Sequence, residues 1–144
     1  MINWLKRFFK KEQVYLPKEG DTIIVLKPFW YDDNGDRVWD EYPDCFKDNA
    51  FRMYPGRVIL KYLPGQEYKV KYTLGIDQID TKTLNRINGF KMYKLYTLSL
   101  EPNQYQPNRT NVGSHLNYIL LYKEGYIIEK NENRNRKLNL LVVS

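Results

Sequence analysis

Alternating apolar and polar residues between Tyr54 and Leu74 constrain the fold of this chain more than any other feature. The segment reads "YPGRVILKYLPGQEYKVKYTL". From Glu67 to Leu74 the two kinds of side chain alternate without a break, as in a strand with one buried face and one solvent face. Leu63-Pro64-Gly65-Gln66 has the composition of a tight turn. The segment therefore predicts an antiparallel hairpin from Arg57 to Leu74.

Similar strand signals recur along the rest of the chain. Thr22–Leu26 is a short apolar run, Asn34-Gly35 is the strongest short hairpin signal, and Glu124-Gly125 separates two further strand-like runs. Residues 91–100 and 137–144 also alternate as strands do. Short strands with turn signals at spacings of roughly 8–12 residues predict a mainly β fold, either a barrel or a small sandwich.

Helical signals are confined to two places. Residues 1–12, "MINWLKRFFKKE", place apolar side chains at helical spacing with basic residues between them, which predicts a short amphipathic helix. Asp80 is placed to cap a second short helix that ends near Gly89. We therefore predict a basic helical appendage at residues 1–16 and a single β-rich domain at 17–144. Within that domain we expect a barrel-like core at about 18–100 and C-terminal strands at 116–144.

Charge is segregated along the sequence, and the net charge is +6. Residues 1–13 hold four basic side chains against one acidic, and residues 130–137 hold the same numbers. Residues 32–48 hold seven acidic side chains against two basic, whereas residues 52–94 hold nine basic against three acidic. Unless folding mixes these blocks, they predict a molecule with an acidic side and a basic side.

Side chains for catalysis and metal binding are scarce. Cys45 and His115 are each the only residue of their type, so an internal disulfide is excluded and a Cys/His metal site lacks ligands. His115 lies in a segment rich in Pro, Gly and Asn, where an exposed histidine without a catalytic role is the simpler interpretation. We predict that the protein is not an enzyme and that it uses neither a cofactor nor a metal.

Targeting signals are also missing from the sequence. The first apolar run breaks at Lys6, which is too early for a secretion signal, and no run approaches the roughly 20 apolar residues of a membrane span. The expectation is a soluble cytoplasmic protein.

Three short motifs follow one another between residues 18 and 78. They are Gly20-Asp21 with the apolar strand Ile23–Val25, the Gly-x-Val strand Gly56-Arg57-Val58, and the alternating strand Tyr68–Tyr72. In this order they resemble the small SH3-like barrels of the KOW and Tudor type. The resemblance implies an SH3-like barrel elaborated with extra strands. KOW modules bind nucleic acid, RNA polymerase or ribosomal components, and Tudor modules often bind methylated residues. The chain is also similar in style to phage-encoded transcription modifiers.

The leading functional hypothesis is nucleic-acid binding without catalysis, through a basic hairpin that contacts phosphates. The candidate residues are cations of the predicted hairpin and of the two basic terminal segments: Arg57, Lys61, Lys69, Lys71, Lys6, Arg7, Arg134, Arg136 and Lys137. The nucleic acid is either DNA or RNA, and exposed aromatic side chains would stack on the bases of a single strand. A phage or mobile-element modulator of host transcription fits this hypothesis.

Two other functions remain open. The protein is alternatively an adaptor or inhibitor of a host protein, with Trp30, Trp39 and Phe46 of the acidic segment 30–48 as interface anchors. A third hypothesis is attachment to a membrane surface through residues 1–11. Lysines on the solvent face of a strand also occur without any partner, because they protect sheet edges from unwanted pairing.

Overall fold

The protein folds into curled antiparallel sheets with short helices. The structure, a computed structural model, describes residues 13–32, 38–41, 59–87, 95–106 and 115–143 of the chain. The strands in these ranges are β1 (Gln13–Val14), β2 (Thr22–Val25), β3 (Phe29–Asp32), β4 (Val38–Trp39), β5 (Ile59–Tyr62), β6 (Glu67–Gly75), β7 (Ile79–Asp80), β8 (Tyr96–Leu100), β9 (Leu116–Asn117) and β10 (Ile127–Glu129). The helices are α1 (Thr81–Arg86), α2 (Tyr118–Lys123) and α3 (Lys130–Val143).

The strands form a half-barrel. A five-stranded sheet has the order β10-β2-β6-β8-β9, a three-stranded sheet has the order β4-β3-β5, and β1 pairs with β7. Every pair is antiparallel. The prediction of a mainly β fold is therefore confirmed.

The two larger sheets are joined by one bent ribbon. Ile24 pairs with Glu67 in the five-stranded sheet, and Phe29 pairs with Tyr62 in the three-stranded sheet. Residues 25–28 and 63–66 lie between these pairs, an equal number on each strand, so the register is unchanged across the bend. We call the paired segments β2–β3 and β5–β6 the bent ribbon.

The predicted hairpin between Arg57 and Leu74 is wrong. Among the described strands, β5 pairs with β3, whereas β6 pairs with β2 and β8. The turn itself is present, because the Gln66 N–H donates to the Leu63 carbonyl at 3.2 Å and Gly65 has a φ of 85°. The Gly65 N–H also donates to the Val25 carbonyl at 2.9 Å. The turn therefore forms the corner of the bent ribbon. Strand β6 pairs with β2 on one side of this corner, and β5 pairs with β3 on the other side.

A β-bulge in β6 changes which side chains are buried. Val70 pairs with Leu100 but Tyr72 pairs with Ser99, so Lys71 is an extra residue between two registers. Before the bulge Val70 is buried, as the alternation predicted. After the bulge Leu74 is 56% exposed, because one inserted residue turns the following side chains to the opposite face.

The core at the bend is built from aromatic rings. The Phe29 and Tyr62 rings stack with centroids 4.6 Å apart, and Tyr62 meets Tyr68 at 5.3 Å. Phe29 also contacts the Tyr126 ring at 5.2 Å. All four residues are buried. Much of the tyrosine content is therefore used to hold the two sheets together across the bend.

Residues 118–123 form a helix where a strand was predicted. The Asn117 side chain caps α2 by accepting the Leu120 N–H at 3.3 Å, and Ile119 and Leu121 are fully buried. Strands β9 and β10 lie at opposite edges of the five-stranded sheet, so the segment between them has to cross the sheet. The helix buries an apolar run during that crossing, and this packing outweighs its β propensity. The predicted turn at Glu124-Gly125 is confirmed, with a φ of 80° at Gly125.

The predicted final strand at 137–144 is also wrong, and C-terminal strands therefore do not fill 116–144. Residues 130–143 form α3. The Glu129 carboxylate accepts the Glu132 N–H at 2.7 Å, which satisfies one of the N–H groups that a helix start leaves unpaired. The residues that follow, such as Asn, Arg and Lys, extend this turn, and Leu138 on the helix is 50% exposed.

Two local predictions are confirmed. Asp80 caps α1 by accepting the Thr83 N–H at 2.6 Å. Strands β3 and β4, which flank Asn34-Gly35, pair as a hairpin. The predicted N-terminal helix, the turn residues Asn34 and Gly35, and Cys45 lie outside the described residues, as do the candidate site residues Lys6, Arg7, Phe46 and Arg57.

Candidate nucleic-acid interface

The three lysines of the bent ribbon that were predicted as site residues lie in different surroundings. Lys61 on β5 is exposed, and its Nζ lies 5.0 Å from the centre of the Trp30 ring. Lys69 on β6 is exposed on the other side of the bend, and Lys71 is half-buried at the bulge. The three lysines therefore do not form the single basic face that a flat hairpin would have given them.

Lys69 shares a surface groove with two acidic residues. The groove has a volume of about 430 Å³, and its lining includes Lys69, Glu67, Glu101 and Tyr105. The Glu67 carboxylate also pairs with Lys130 Nζ at 2.8 Å, so it lies between the ribbon and α3. Two carboxylates in the same groove reduce the attraction of this stretch of the ribbon for an anion.

An aromatic row occupies the outer face of the three-stranded sheet. Trp30 pairs with Trp39 on one side and with Lys61 on the other, so the three side chains share one face. Both tryptophans are half-buried. We call Trp39, Trp30 and Lys61 the tryptophan row. It brings together one residue predicted for nucleic acid and two predicted for a protein partner.

Helix α3 presents a basic stripe. Lys130, Arg134 and Lys137 are spaced i, i+4 and i+7, so they lie along one side of the helix. All three are exposed. Glu132, the one acidic residue of α3, is two positions from Lys130 and from Arg134, or about 200° around the helix axis. We call these three cations the basic stripe. Arg134 and Lys137 were predicted as site residues. The sequence analysis did not predict that they lie on one side of a helix with Lys130, because it assigned no helix to this segment.

The opposite side of α3 faces the body of the protein through a polar cluster. Tyr122 Oη donates to Glu132 Oε1 at 2.8 Å and accepts a hydrogen bond from Arg136 Nη2. Arg136 is 3.2 Å from the same carboxylate oxygen, and its guanidinium lies over the Tyr122 ring. Burial, followed by the hydrogen bond to Glu132, raises the pKa of Tyr122 to about 12. Tyr122 therefore stays protonated and keeps Glu132 and Arg136 in place. Arg136, which was predicted as a phosphate contact, belongs to this cluster.

A groove runs beside the cluster between α3, α1 and β1. Its volume is about 480 Å³. Four carboxamide side chains line it, Asn135 and Asn139 from α3 on one side and Gln13 and Asn85 on the other. Sequence reasoning missed this groove because the carboxamides on its two sides, such as Asn85 and Asn135, are far apart in the sequence. The Asn-rich composition of residues 130–139 was the available signal.

His115 has a neighbour that the sequence did not reveal. Its ring lies 5.8 Å from the Tyr72 ring, and Tyr72 is paired with Ser99 on β8. Ser99 Oγ and His115 Nδ1 are buried, and neither has a hydrogen-bond partner in the part of the chain that the structure describes. His115 is half-buried rather than exposed as the sequence suggested, and the prediction that it has no catalytic role stays a prediction.

The described ranges contain neither a metal-binding cluster nor a helix suited to a bilayer. No group of three His, Cys, Asp or Glu side chains in them is arranged to hold a metal ion. None of their helices combines the length and the apolar character needed to cross a bilayer.

Comparison with known proteins gives one distant similarity. No protein-family model matches the chain, and no solved structure gives a significant match. Flavohemoprotein B from Dictyostelium discoideum is 29% identical to the chain over 109 residues, which cover 72% of this chain and 25% of that protein. The chain thus spans about a quarter of the length of the curated relative it matches. A similarity of this extent does not assign the chain to a family.

Proposed function

We propose that the protein binds nucleic acid and that the basic stripe of α3 contacts the phosphate backbone. The observation that supports this most directly is the spacing of Lys130, Arg134 and Lys137 on an exposed side of one helix. Cations that neutralise phosphates release condensed counterions, and this release provides most of the sequence-independent affinity. Lys69 contributes less, since Glu67 and Glu101 line the same groove.

The ion pair of Lys130 is compatible with this role. Lys130 and Glu67 are 2.8 Å apart, but their side chains are 55% and 45% exposed. Exposed ion pairs contribute about 0–1 kcal/mol, so a phosphate can replace Glu67 at little cost. The basic stripe contains no carboxylate that a phosphate would have to displace from Arg134 or Lys137.

The barrel resemblance belongs to the same proposal. A ribbon that bends from one sheet into another, with its register preserved, is compatible with an SH3-like barrel of the KOW or Tudor type for residues 18–78. A phage-type modulator of host transcription would combine such a barrel with an accessory basic helix. Co-purification with RNA polymerase that survives nuclease treatment would support a role in host transcription. Absence of RNA polymerase from the purified material would contradict that role.

Direct binding measurements test the proposed function. A labelled oligonucleotide, offered single-stranded and as a duplex, is titrated with the protein at several salt concentrations. We expect an affinity that falls linearly with the logarithm of the salt concentration. Absence of binding at low salt, or binding that does not respond to salt, would contradict the proposal.

A protein partner is the second candidate, and the tryptophan row favours it. Trp and Tyr are frequent anchors of protein interfaces, and Trp30 and Trp39 lie side by side on the outer face of a sheet. A pull-down from lysate with and without nuclease separates the two candidates. A partner that is kept after nuclease treatment and lost in Trp39→Ala would favour the adaptor.

Membrane attachment through residues 1–11 is tested separately by liposome flotation of a deletion variant.

We also propose that the protein is not an enzyme. Loss of all function in a normally folded His115→Ala or Cys45→Ser variant would contradict this. The Dictyostelium relative is named a flavohemoprotein, so absorbance spectra of this protein mixed with flavin or with haemin provide a direct check. A shifted flavin or haem spectrum at stoichiometric concentration would replace the non-enzyme proposal.

A further inference from the structure

Four exposed carboxamide side chains line the groove beside α3, those of Gln13, Asn85, Asn135 and Asn139. Within the described ranges no hydrogen bond from another residue occupies them, so they are open to a ligand. Asn135 and Asn139 are spaced i, i+4, so they lie on the same side of α3. Each carboxamide offers a donor and an acceptor close together. A groove of about 480 Å³ is within the size range of sites for small ligands.

The wall next to the carboxamides is fixed in place. Arg136 donates through Nη2 to both Glu132 and Tyr122. The centre of its guanidinium lies 5.3 Å from the centre of the Tyr122 ring. The side chain is 56% exposed, so part of the guanidinium group remains open to the groove. A planar group held in this way is a surface on which a flat ring can stack.

We propose that this groove receives one unpaired nucleobase, which makes single-stranded nucleic acid the partner of the protein. The inference rests on the proposed function, because the basic stripe on the same helix supplies the phosphate contacts. A carboxamide matches the adjacent donor and acceptor on the edge of a base, and single strands are read by such contacts together with stacking on aromatic or guanidinium planes. Base pairing hides the Watson–Crick edge in a duplex, so the groove prefers an unpaired strand.

The geometry of α3 allows one strand to reach both sites. An α-helix is about 10–12 Å across with its side chains. Lys137 of the stripe and Arg136 of the groove wall are consecutive residues, about 100° apart around the axis. A backbone that follows the stripe can therefore turn one base over the flank of the helix into the groove.

The surrounding charge favours a strand that carries phosphates over a neutral peptide as the source of the occupant. Arg136 and Lys123 line the groove with Glu132 as the one acid among its lining residues, which leaves a positive balance next to the basic stripe. An extended peptide backbone would also satisfy carboxamides, but it has no net charge that the neighbouring cations would attract. A capped neutral peptide is therefore a useful competitor in the test.

The experiment compares binding of single-stranded homopolymers of A, C and T, and of a duplex, to the intact protein and its variants. The double variant Asn135→Leu/Asn139→Leu removes the carboxamides of α3. The matched control is Asn131→Leu, an exposed position on α3 outside the groove lining. Both changes replace exposed helical residues, so folding is checked by circular dichroism and is expected to be unchanged.

We expect the parent to prefer one homopolymer by at least about fivefold, the lower end of what a bidentate carboxamide–base contact provides. The double variant should bind all homopolymers equally with an unchanged salt slope, whereas Asn131→Leu should behave as the parent. A base preference that survives in the double variant, or a parent that binds all single strands and the duplex alike, overturns the groove proposal while leaving the stripe intact. Absence of all binding overturns the proposed function instead.

Amide signals of the side chains provide a readout that does not depend on affinity for long strands. Nucleoside monophosphates should shift the carboxamide signals of Asn135 and Asn139 in NMR spectra, whereas ribose 5-phosphate should leave them unchanged. If a capped neutral tripeptide shifts the same signals and the nucleotides do not, the groove is a peptide site and the nucleobase proposal is wrong.

Discussion

The bent ribbon and helix α3 both carry lysine and arginine, but the two elements use their surroundings differently. On the ribbon, buried side chains such as Phe29 and Tyr62 alternate with the cations, and Lys69 has carboxylates beside it. On α3, most described side chains are exposed. Lys130 of the basic stripe pairs with Glu67 of the ribbon, whereas Arg134 and Lys137 lie on the side of the helix away from Glu132.

Regular alternation alone does not indicate a binding surface. An alternating strand needs polar side chains on its solvent face whether or not a partner exists, and lysine serves there as protection of the sheet. A basic helix whose side chains at 130–139 are mostly exposed has no such structural reason for its charge. We expect this difference to have four measurable effects, from the largest to the smallest.

The ribbon should respond to changes in its core. Phe29→Ala removes a fully buried ring that stacks on Tyr62 at the bend. We expect the free energy of unfolding to fall by about 3–5 kcal/mol, as measured by urea denaturation. Lys61→Ala on the opposite strand is the control, with an expected change within about 0.5 kcal/mol. Similar losses from both variants would show that the solvent face of the ribbon is more than a well-formed strand surface.

Helix α3 should respond to the loss of its cap. In Glu129→Ala the Glu132 N–H loses its acceptor, and we expect a loss of about 1–2 kcal/mol in stability. Nucleic-acid affinity should fall as well, because the stripe begins in the first turn. Glu124→Ala, at an exposed turn, is the matched control. Unchanged affinity in a Glu129→Ala protein with a frayed helix would exclude α3 as the binding element.

The salt dependence of binding should separate the two sets of cations. Arg134→Ala/Lys137→Ala should lower the magnitude of the slope of log K against log salt by about 1.4 for a single strand, at about 0.7 for each contact. Lys69→Ala/Lys71→Ala should change it by less than about 0.5, because those lysines lie beside acids or at the bulge. The reverse order would restore the ribbon as the phosphate-binding surface.

The smallest effect is expected at alkaline pH. The folded protein raises the pKa of Tyr122 from 10.0 to about 12, so the protonated hydroxyl stabilises the fold. This contribution is complete below pH 10 and is lost as the pH rises toward 12. Tyr122→Phe should therefore make the decline of the melting temperature between these pH values shallower. An identical decline in both proteins would show that Tyr122 titrates normally.

Local signals in the sequence predicted much of the fold but little of the site. Asp80 as a helix cap, the β3–β4 hairpin around Asn34-Gly35 and the turn at Glu124-Gly125 all follow from the preferences of a few adjacent residues. The β6 pattern was correct only as far as the bulge at Lys71. The position of a β-bulge depends on how a strand pairs with its partner strand. The residue pattern of β6 alone therefore cannot predict the bulge.

The sequence by itself determined that this chain is mainly β and that residues 130–137 concentrate positive charge. These properties depend on composition and on periodicity within single segments. Tertiary structure decided that β5 and β6 bend around a corner rather than pair, and that residues 118–123 and 130–143 are helical. It also brought Gln13 and Asn85 to face Asn135 and Asn139. Such outcomes depend on which distant segments compete to bury the same apolar surface, and that competition is settled only when the whole chain packs.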